Sequence, residues 1–482
     1  MSEPRPCTLL LSGAQVVTVD DARTVHPDGA VAVDGDRIVD VGPTTDLVAR
    51  WRPLRTVDCR GSAVLPGFTD AHTHLFQSLA RGIGDGLAIG RWLNEFMWPY
   101  AIHLDSEDAR IAARLGAVEA ARAGITTVVD HHYAPSDPET VLAVADAIEE
   151  IGLRGAVARG MLGDRTAVAD ARGLPTALYR YSTEQELDLT RQCMSARGAE
   201  SMVRVWPAPL NLSYGDRDLV RGAVALAREH GVRWHTHCSE GPKDPQSFLG
   251  RYGERPVAWL AAENLLDEHA TLAHAVWLDE EETEAVGAYG AGVAHCPCSN
   301  AYLASGAMPW RGLRDAGAMV ALGTDGPSAG GRQDMFEVMK QTLFGQRLSR
   351  LDPTAVRCEE VIEAATRDGA RYAGVEGGGV IRPGALADLV VVDLKGTAVQ
   401  PLHRAVSALV YSARAADVAM TLVGGRIVYE NGHCPGVDEE ALVAHARERA
   451  EHLVRRAGFG ALTEPWRNGN GNQDRRTRVA TS

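Results

Sequence analysis

Residues Pro66 to His74 read PGFTDAHTH. A β-strand running into His-x-His sets His72 and His74 on the same side of the chain, because side chains alternate with period two. Both imidazoles can then grip one metal from a strand end, although a pair of hydrogen-bonded loop histidines would read the same way. Other apolar runs stop on similar residues: WHTHCSE gives His235, His237 and Glu240, ATLAH gives His274, GVAH gives His295, and LGTDG gives Asp325. Random placement rarely puts His or Asp at so many strand ends. Three imidazoles and one carboxylate form a donor set for a single divalent ion that activates water, with zinc favoured by the mixed nitrogen and oxygen ligands and iron or manganese as alternatives.

Those residues converge only if the strands lie side by side. The middle of the chain repeats short buried-looking runs: VLPGFTDAHTH, GITTVVDHH, GLRGAVARG, MVRVWPAPL, GVRWHTH, ATLAHAV, AGVAHCP and MVALGTDG. Stretches such as SEDARIAARLGAVEAARAG, with apolar residues at helical spacing and a closing Gly, lie between them. This alternation predicts an α/β fold, a (β/α)8 TIM barrel over residues 66–384, with an open doubly wound sheet as the competitor. In a barrel the carboxyl ends of the strands form one ligand-binding face. Residues 1–65 and 385–435 carry β-branched runs broken by Asp-Gly and Gly, the texture of antiparallel hairpins, with VSALVYSA among them. They are expected to pair into a small discontinuous β-sandwich domain built from both chain ends. A C-terminal helix is expected within 436–465 and a solvated, disordered tail over 466–482.

The chain of 482 residues is too long for one core. Its 49 Lys+Arg against 63 Asp+Glu give a net charge of −14, which argues against nucleic-acid or anionic-membrane binding. The N-terminus lacks the pattern of a secretory signal and no run is long enough to span a bilayer, so a cytoplasmic location is expected. Eight scattered cysteines make no disulfide framework, and Cys296 and Cys298 read as core or pocket-wall thiols. No Gly-rich motif stands in a strand-to-helix context, so no organic cofactor is expected.

PGFTDAHTH, HTHCSE, AHCPCSNAYLASG and LGTDG together resemble the amidohydrolase superfamily, in its cytosine-deaminase-like branch. Adenosylhomocysteine, methylthioadenosine, guanine and 8-oxoguanine deaminases and the triazine hydrolases belong to that branch. The resemblance implies His72, His74, His237 and Asp325 as metal ligands, Glu240 as the proton donor to a ring nitrogen, and His274 as the group that steadies the attacking hydroxide. It makes Asp70 structural; the chemistry itself lets a metal-bound Asp325 also carry the proton from the water, and the strand spacing favours His237 over His235 as the ligand, with His235 in support. The resemblance also implies a homodimer or larger homo-oligomer.

Glu240 leans the reading toward deamination of an amino-substituted N-heterocycle such as an oxopurine, pterin or pyrimidine, with release of ammonia. DHHY (Asp130–Tyr133) is similar to the 8-oxoguanine group, and RWLNEFMWP and TDGPSAGGRQDMFEVMK to the adenosylhomocysteine group. Nucleoside deaminases of the latter show a His where Leu210 stands and a Glu where Gly90 stands, so these two residues favour a compact base. Gln77, Trp92, His132, Arg159 and His295 are candidate substrate contacts, each with a core, capping or loop role as its competitor. Hydrolysis of a cyclic amide, removal of halogen or another leaving group from a heteroaromatic ring, and deamination of a nucleoside of the adenosylhomocysteine or methylthioadenosine type are the alternatives. A non-catalytic ligand-binding scaffold would have no need to keep His72, His74, His237, Asp325, Glu240 and His274 together.

Overall fold

A computed structural model describes residues 3–463; the expected tail of 466–482 lies outside the described residues. Five strands come first: β1 (Arg5–Val17), β2 (Val25–Asp34), β3 (Arg37–Pro43), β4 (Trp51–Asp58) and β5 (Ser62–Pro66). Eight follow in the middle: β6 (Phe68–Thr73), β7 (Ile125–His132), β8 (Arg154–Met161), β9 (Val203–Pro209), β10 (Trp234–Cys238), β11 (Ala270–His274), β12 (Gly292–His295) and β13 (Met319–Leu322). The last three are β14 (Leu389–Asp393), β15 (Val418–Val423) and β16 (Arg426–Glu430).

The first five and last three strands form one sheet in the order β16-β15-β14-β5-β1-β2-β3, with β4 also paired to β1. Strand β1 turns this sheet into a sandwich. Its first half pairs with β4 and its second half, at Gln15 and Val16, with β5. The switch falls at Gly13, where the register breaks and φ is +82°, a conformation that glycine adopts without steric cost. Leu9 and Leu11 pack on one face with Val31, Val33 and Leu389, and Leu10 packs on the other with Leu47 and Trp51, as the alternation of a strand dictates.

Two details depart from the hairpin reading of these segments. Strand β4 runs parallel to β1, because a short helix, Thr44–Arg50, carries the chain back between β3 and β4 and both strands run in the direction of β1. VSALVYSA is no strand either. Residues Ala405–Tyr411 form a helix whose Ala405, Leu409 and Val410 are buried, so packing has overridden the β-branched composition.

The eight middle strands are parallel, in two sheets of four, β6-β7-β8-β9 and β10-β11-β12-β13, alternating with helices along the chain. Two seams close them into a barrel. Asn211 bridges to His237 on one side, and the Asp325 amide donates to the His72 carbonyl at 2.9 Å on the other. The faces turned to the helices carry Trp234, Leu272, Val293 and Val320, all inaccessible and part of one continuous apolar cluster. Burial of that layer supplies most of the driving force that holds the strand ends in register. Among the described residues, no helix is long and apolar enough to cross a membrane.

Candidate active site

At the carboxyl ends of the barrel strands, His72, His74 and His237 place ligand atoms within 4.8 Å of one another, as do His72, His274 and Asp325. The hydrogen bonds behind these rings fix their tautomers. A carbonyl can only accept, so His74 Nδ1–H donates to the His131 carbonyl at 2.6 Å and His237 Nδ1–H to the Leu210 carbonyl at 2.7 Å. In the neutral rings both Nε2 atoms are then bare lone pairs, and they face each other across 3.2 Å. Asp325 Oδ1 lies 3.4 Å from His74 Nε2 and 3.7 Å from His72 Nε2, which is buried with no hydrogen-bond partner. Lone pairs and a carboxylate packed this closely repel unless a cation sits between them. Ligand atoms about 2.0–2.2 Å from zinc would show separations of this size. The residues therefore fit a divalent ion.

Burial keeps the imidazoles ready to bind. It pulls His72 and His237 far below the usual histidine range, and neighbouring histidines add to the effect. Asp70 organises the seam beside them by accepting from the Thr324 amide at 2.9 Å and the Thr324 hydroxyl at 2.5 Å. Its own carboxyl, fully enclosed, is pushed up to about 7 by burial, with the Thr324 hydrogen bonds opposing.

Glu240 and His274 complete the polar floor. His274 Nδ1 meets Asn300 Oδ1 at 3.1 Å, and its Nε2 lies 3.7 Å from Glu240 and 3.8 Å from Asp325. Parity along β11 would send His274 toward the helices, on the side of Leu272. Its φ of +68° turns it into the cavity, and Asp325 is turned in the same way at +62°. Glu240 accepts a 3.4 Å hydrogen bond from Ser305, and burial, reinforced by Asp325 and opposed by His274, pushes its carboxyl up to about 7.

These groups open onto a cavity of about 1270 Å³, walled by Gln77, Trp92, Trp98, Tyr133, Asn211 and Tyr214. Leu210 and Gly90 line it as well. The 3-10 turn Leu75–Ala80 and the helical turns from Ile89 to His103 supply one wall. Gln77 is held by the Ser328 hydroxyl and rests on Gly326, where a Cβ would come within 1.9 Å of its amide oxygen. Sequence reasoning named Gln77 and Trp92, and Trp98 in the same RWLNEFMWP motif, but assigned no role to Tyr133, Asn211, Tyr214, Asn300 or Ser305. Tyr133, Asn300 and Ser305 lay within motifs that had been singled out, while Asn211 and Tyr214 had no signal of their own.

Three expected substrate contacts do not reach the cavity. His132 donates from Nε2 to the Pro135 carbonyl at 2.7 Å and caps its own loop. His295 packs against the Trp310 ring with centroids 5.8 Å apart. Arg159 is wholly buried, ion-paired to Glu186 at 2.7 Å and hydrogen-bonded to the Ser136 carbonyl and the Thr190 hydroxyl. Removing one partner from such a pair leaves a buried charge uncompensated, so Arg159→Met should cost about 3–5 kcal/mol in urea denaturation with KM unchanged. A raised KM at unaltered stability would return Arg159 to the substrate.

Comparison with known proteins agrees with this geometry. The profile of the amidohydrolase family matches residues 63–428, and that of the bacterial imidazolonepropionase-like composite domain matches residues 29–52. The chain is 33% identical over 448 residues to 5-methylthioadenosine/S-adenosylhomocysteine deaminase of Pelotomaculum thermopropionicum, covering 93% of this chain and 99% of that one. The enzyme of the same name from Natronomonas pharaonis is 36% identical, with 93% and 99% covered. Among solved structures, a zinc-bound adenosine deaminase from Xanthomonas campestris superposes with a TM-score of 0.87 at 29% identity, over 94% of this chain and 100% of the other. A mutant of atrazine chlorohydrolase from Arthrobacter aurescens, with zinc and atraton, shares the fold at a TM-score of 0.85 and 24% identity, with 92% and 100% covered.

Proposed function

Because the chain belongs to the amidohydrolase family, in the branch of metal-dependent deaminases and hydrolases, we propose that it replaces a ring-borne amino group of an N-heterocycle by oxygen and releases ammonia. The observation that carries this reading is Glu240. A raised carboxyl stands beside the lone-pair cluster of His72, His74, His237 and Asp325 on the cavity floor, where it can hold a proton near neutral pH.

A divalent ion held by that cluster supplies the acidity that lets water attack at neutral pH. The side chains do the rest. Glu240 gives its proton to the ring nitrogen next to the amino-bearing carbon, which makes that carbon electrophilic. His274, anchored by Asn300, directs Nε2 toward the attacking water and orients it. Asp325 takes the proton that the water loses and passes it to the departing amine. A C–O bond forms and the C–N bond breaks; the ring nitrogen keeps the proton from Glu240, and Glu240 regains one from the new hydroxyl, which leaves the product as the lactam.

Leu210 and Gly90 leave two wall positions without a polar group, which supports a bare ring as substrate. The volume of the cavity supports a second reading. At about 1270 Å³ it exceeds the roughly 300–1,000 Å³ common for small-molecule sites, leaving room for a substituent beyond the ring. Relatives named as methylthioadenosine/adenosylhomocysteine deaminases favour that reading too. Ammonia release by zinc-loaded protein across aminopurines, aminopyrimidines, pterins and 5′-substituted adenosines tests both. Turnover on bases alone supports the compact reading, and turnover on the nucleosides supports the larger one. Silence from every compound would overturn deamination and point to a cyclic amide or another leaving group.

A further inference from the structure

Of the three histidines with lone pairs in the cluster, His74 and His237 are fixed from behind by backbone carbonyls. His72 is not. Its Nδ1 meets Nε2 of another buried histidine, His235, at 2.8 Å. Either nitrogen of that pair could carry the proton, so the contact by itself leaves the tautomer of His72 open.

Further hydrogen bonds close the question. The Thr271 hydroxyl donates to the Trp234 carbonyl at 2.7 Å, which spends its only proton. His235 Nδ1, 2.9 Å from that same oxygen, must therefore donate to it. With its proton on Nδ1, neutral His235 has a bare Nε2, and His72 must donate from Nδ1. His72 Nε2 is then a lone pair directed at the cluster. The reverse polarity would set two lone pairs against each other at Thr271 and aim an N–H at the ion. Tyr372 approaches His235 Nδ1 at the longer distance of 3.3 Å, where its hydroxyl oxygen can accept from the same N–H. Gly292 makes room for it, since a Cβ there would lie 2.7 Å from the Tyr372 ring.

We propose that His235 and Thr271 are positioning residues for the metal centre, a one-way relay from His72 to the Trp234 carbonyl that holds His72 in its metal-binding tautomer. The sheet makes the relay possible by placing His235, Thr271 and Gly292 at one level on adjacent strands. Most metal-bound histidines lean on a carboxylate, a carbonyl or a water, and the loss of such a partner costs about 10–100-fold in metal affinity. A neutral histidine can do the same work only if something else fixes its own proton, which is the part taken by Thr271.

The inference rests on His72 being a ligand, and its test reads zinc affinity by competition with a chromophoric chelator. His235→Leu should weaken zinc by about 10–100-fold, and Thr271→Val by about tenfold, near the lower end of that range. His235→Gln keeps an acceptor for His72, and Thr271→Ser keeps the hydroxyl; both should restore affinity to within a few-fold of the unaltered chain. Equal affinity in Thr271→Val and the unaltered chain would overturn the relay, as would losses that the Gln and Ser variants fail to rescue. Should His235→Leu not fold, the Thr271 pair decides alone. Failure of the unaltered chain to bind zinc would instead defeat the reading of the centre itself.

Discussion

Dialysis against a strong chelator should abolish turnover, and stoichiometric zinc should restore it. The facing Nε2 lone pairs of His74 and His237 and the Asp325 carboxylate 3.4 Å from His74 lose the charge that reconciles them. Stability should fall along with activity. A ligand that binds only the folded chain stabilises it by RT ln(1 + [L]/Kd), about 4 kcal/mol at a thousand times Kd. The thermal midpoint should therefore rise on titrating zinc into the stripped protein, steeply up to one equivalent and only logarithmically beyond it. Full turnover by stripped protein, or a midpoint indifferent to zinc, would remove the metal from the reaction.

Glu240→Gln should act differently. The amide keeps the shape of the side chain but has no acidic proton to give, so kcat for deamination should drop by about 10²–10⁴-fold while zinc content stays the same. The pH profile carries the same information. With its carboxyl pushed up to about 7 by burial, Glu240 holds its proton below that value and surrenders it above. The unaltered chain should accordingly lose kcat/KM as the pH rises through about 7, and the limb should vanish from the residual activity of Glu240→Gln. An alkaline limb that survives the substitution would belong to another group, and a small drop in kcat would mean that the leaving group departs without ring protonation.

Why some site residues could be read from the sequence and others could not comes down to strand parity. His72 and His74 are two apart, as are His235 and His237, so any strand that runs into the pocket delivers both of a pair. Arg159 also lies close to the end of a strand, but its register partner on β7 is His132, not His131. Partners across a parallel ladder share a face, and that face looks out to the helices, where Arg159 finds Glu186 and His132 finds the Pro135 carbonyl. His295 is misplaced by the same single step: it shares parity with Val293 and packs on Trp310. A slip of one residue exchanges the faces, and a strand end can be located in sequence only to within a residue or two. His274 breaks parity in the opposite sense through its positive φ, which no pattern of apolar residues announces. The walls were harder still. Tyr214 and Asn211 lie in the loop after β9, and only the closed barrel brings them opposite Trp92 and Trp98.

The seams of the barrel carry a mechanical consequence. Its two four-stranded halves meet where Asn211 pairs with His237 and where the Asp325 amide meets the His72 carbonyl, so each junction is held by a residue that also offers a donor atom to the ion. An ion there is a rivet through both halves. Removing it frees a chemical site and unfastens the two edges along which the barrel can part, so amide exchange at His237 and Asp325 should report the occupancy of the centre as sensitively as the reaction does.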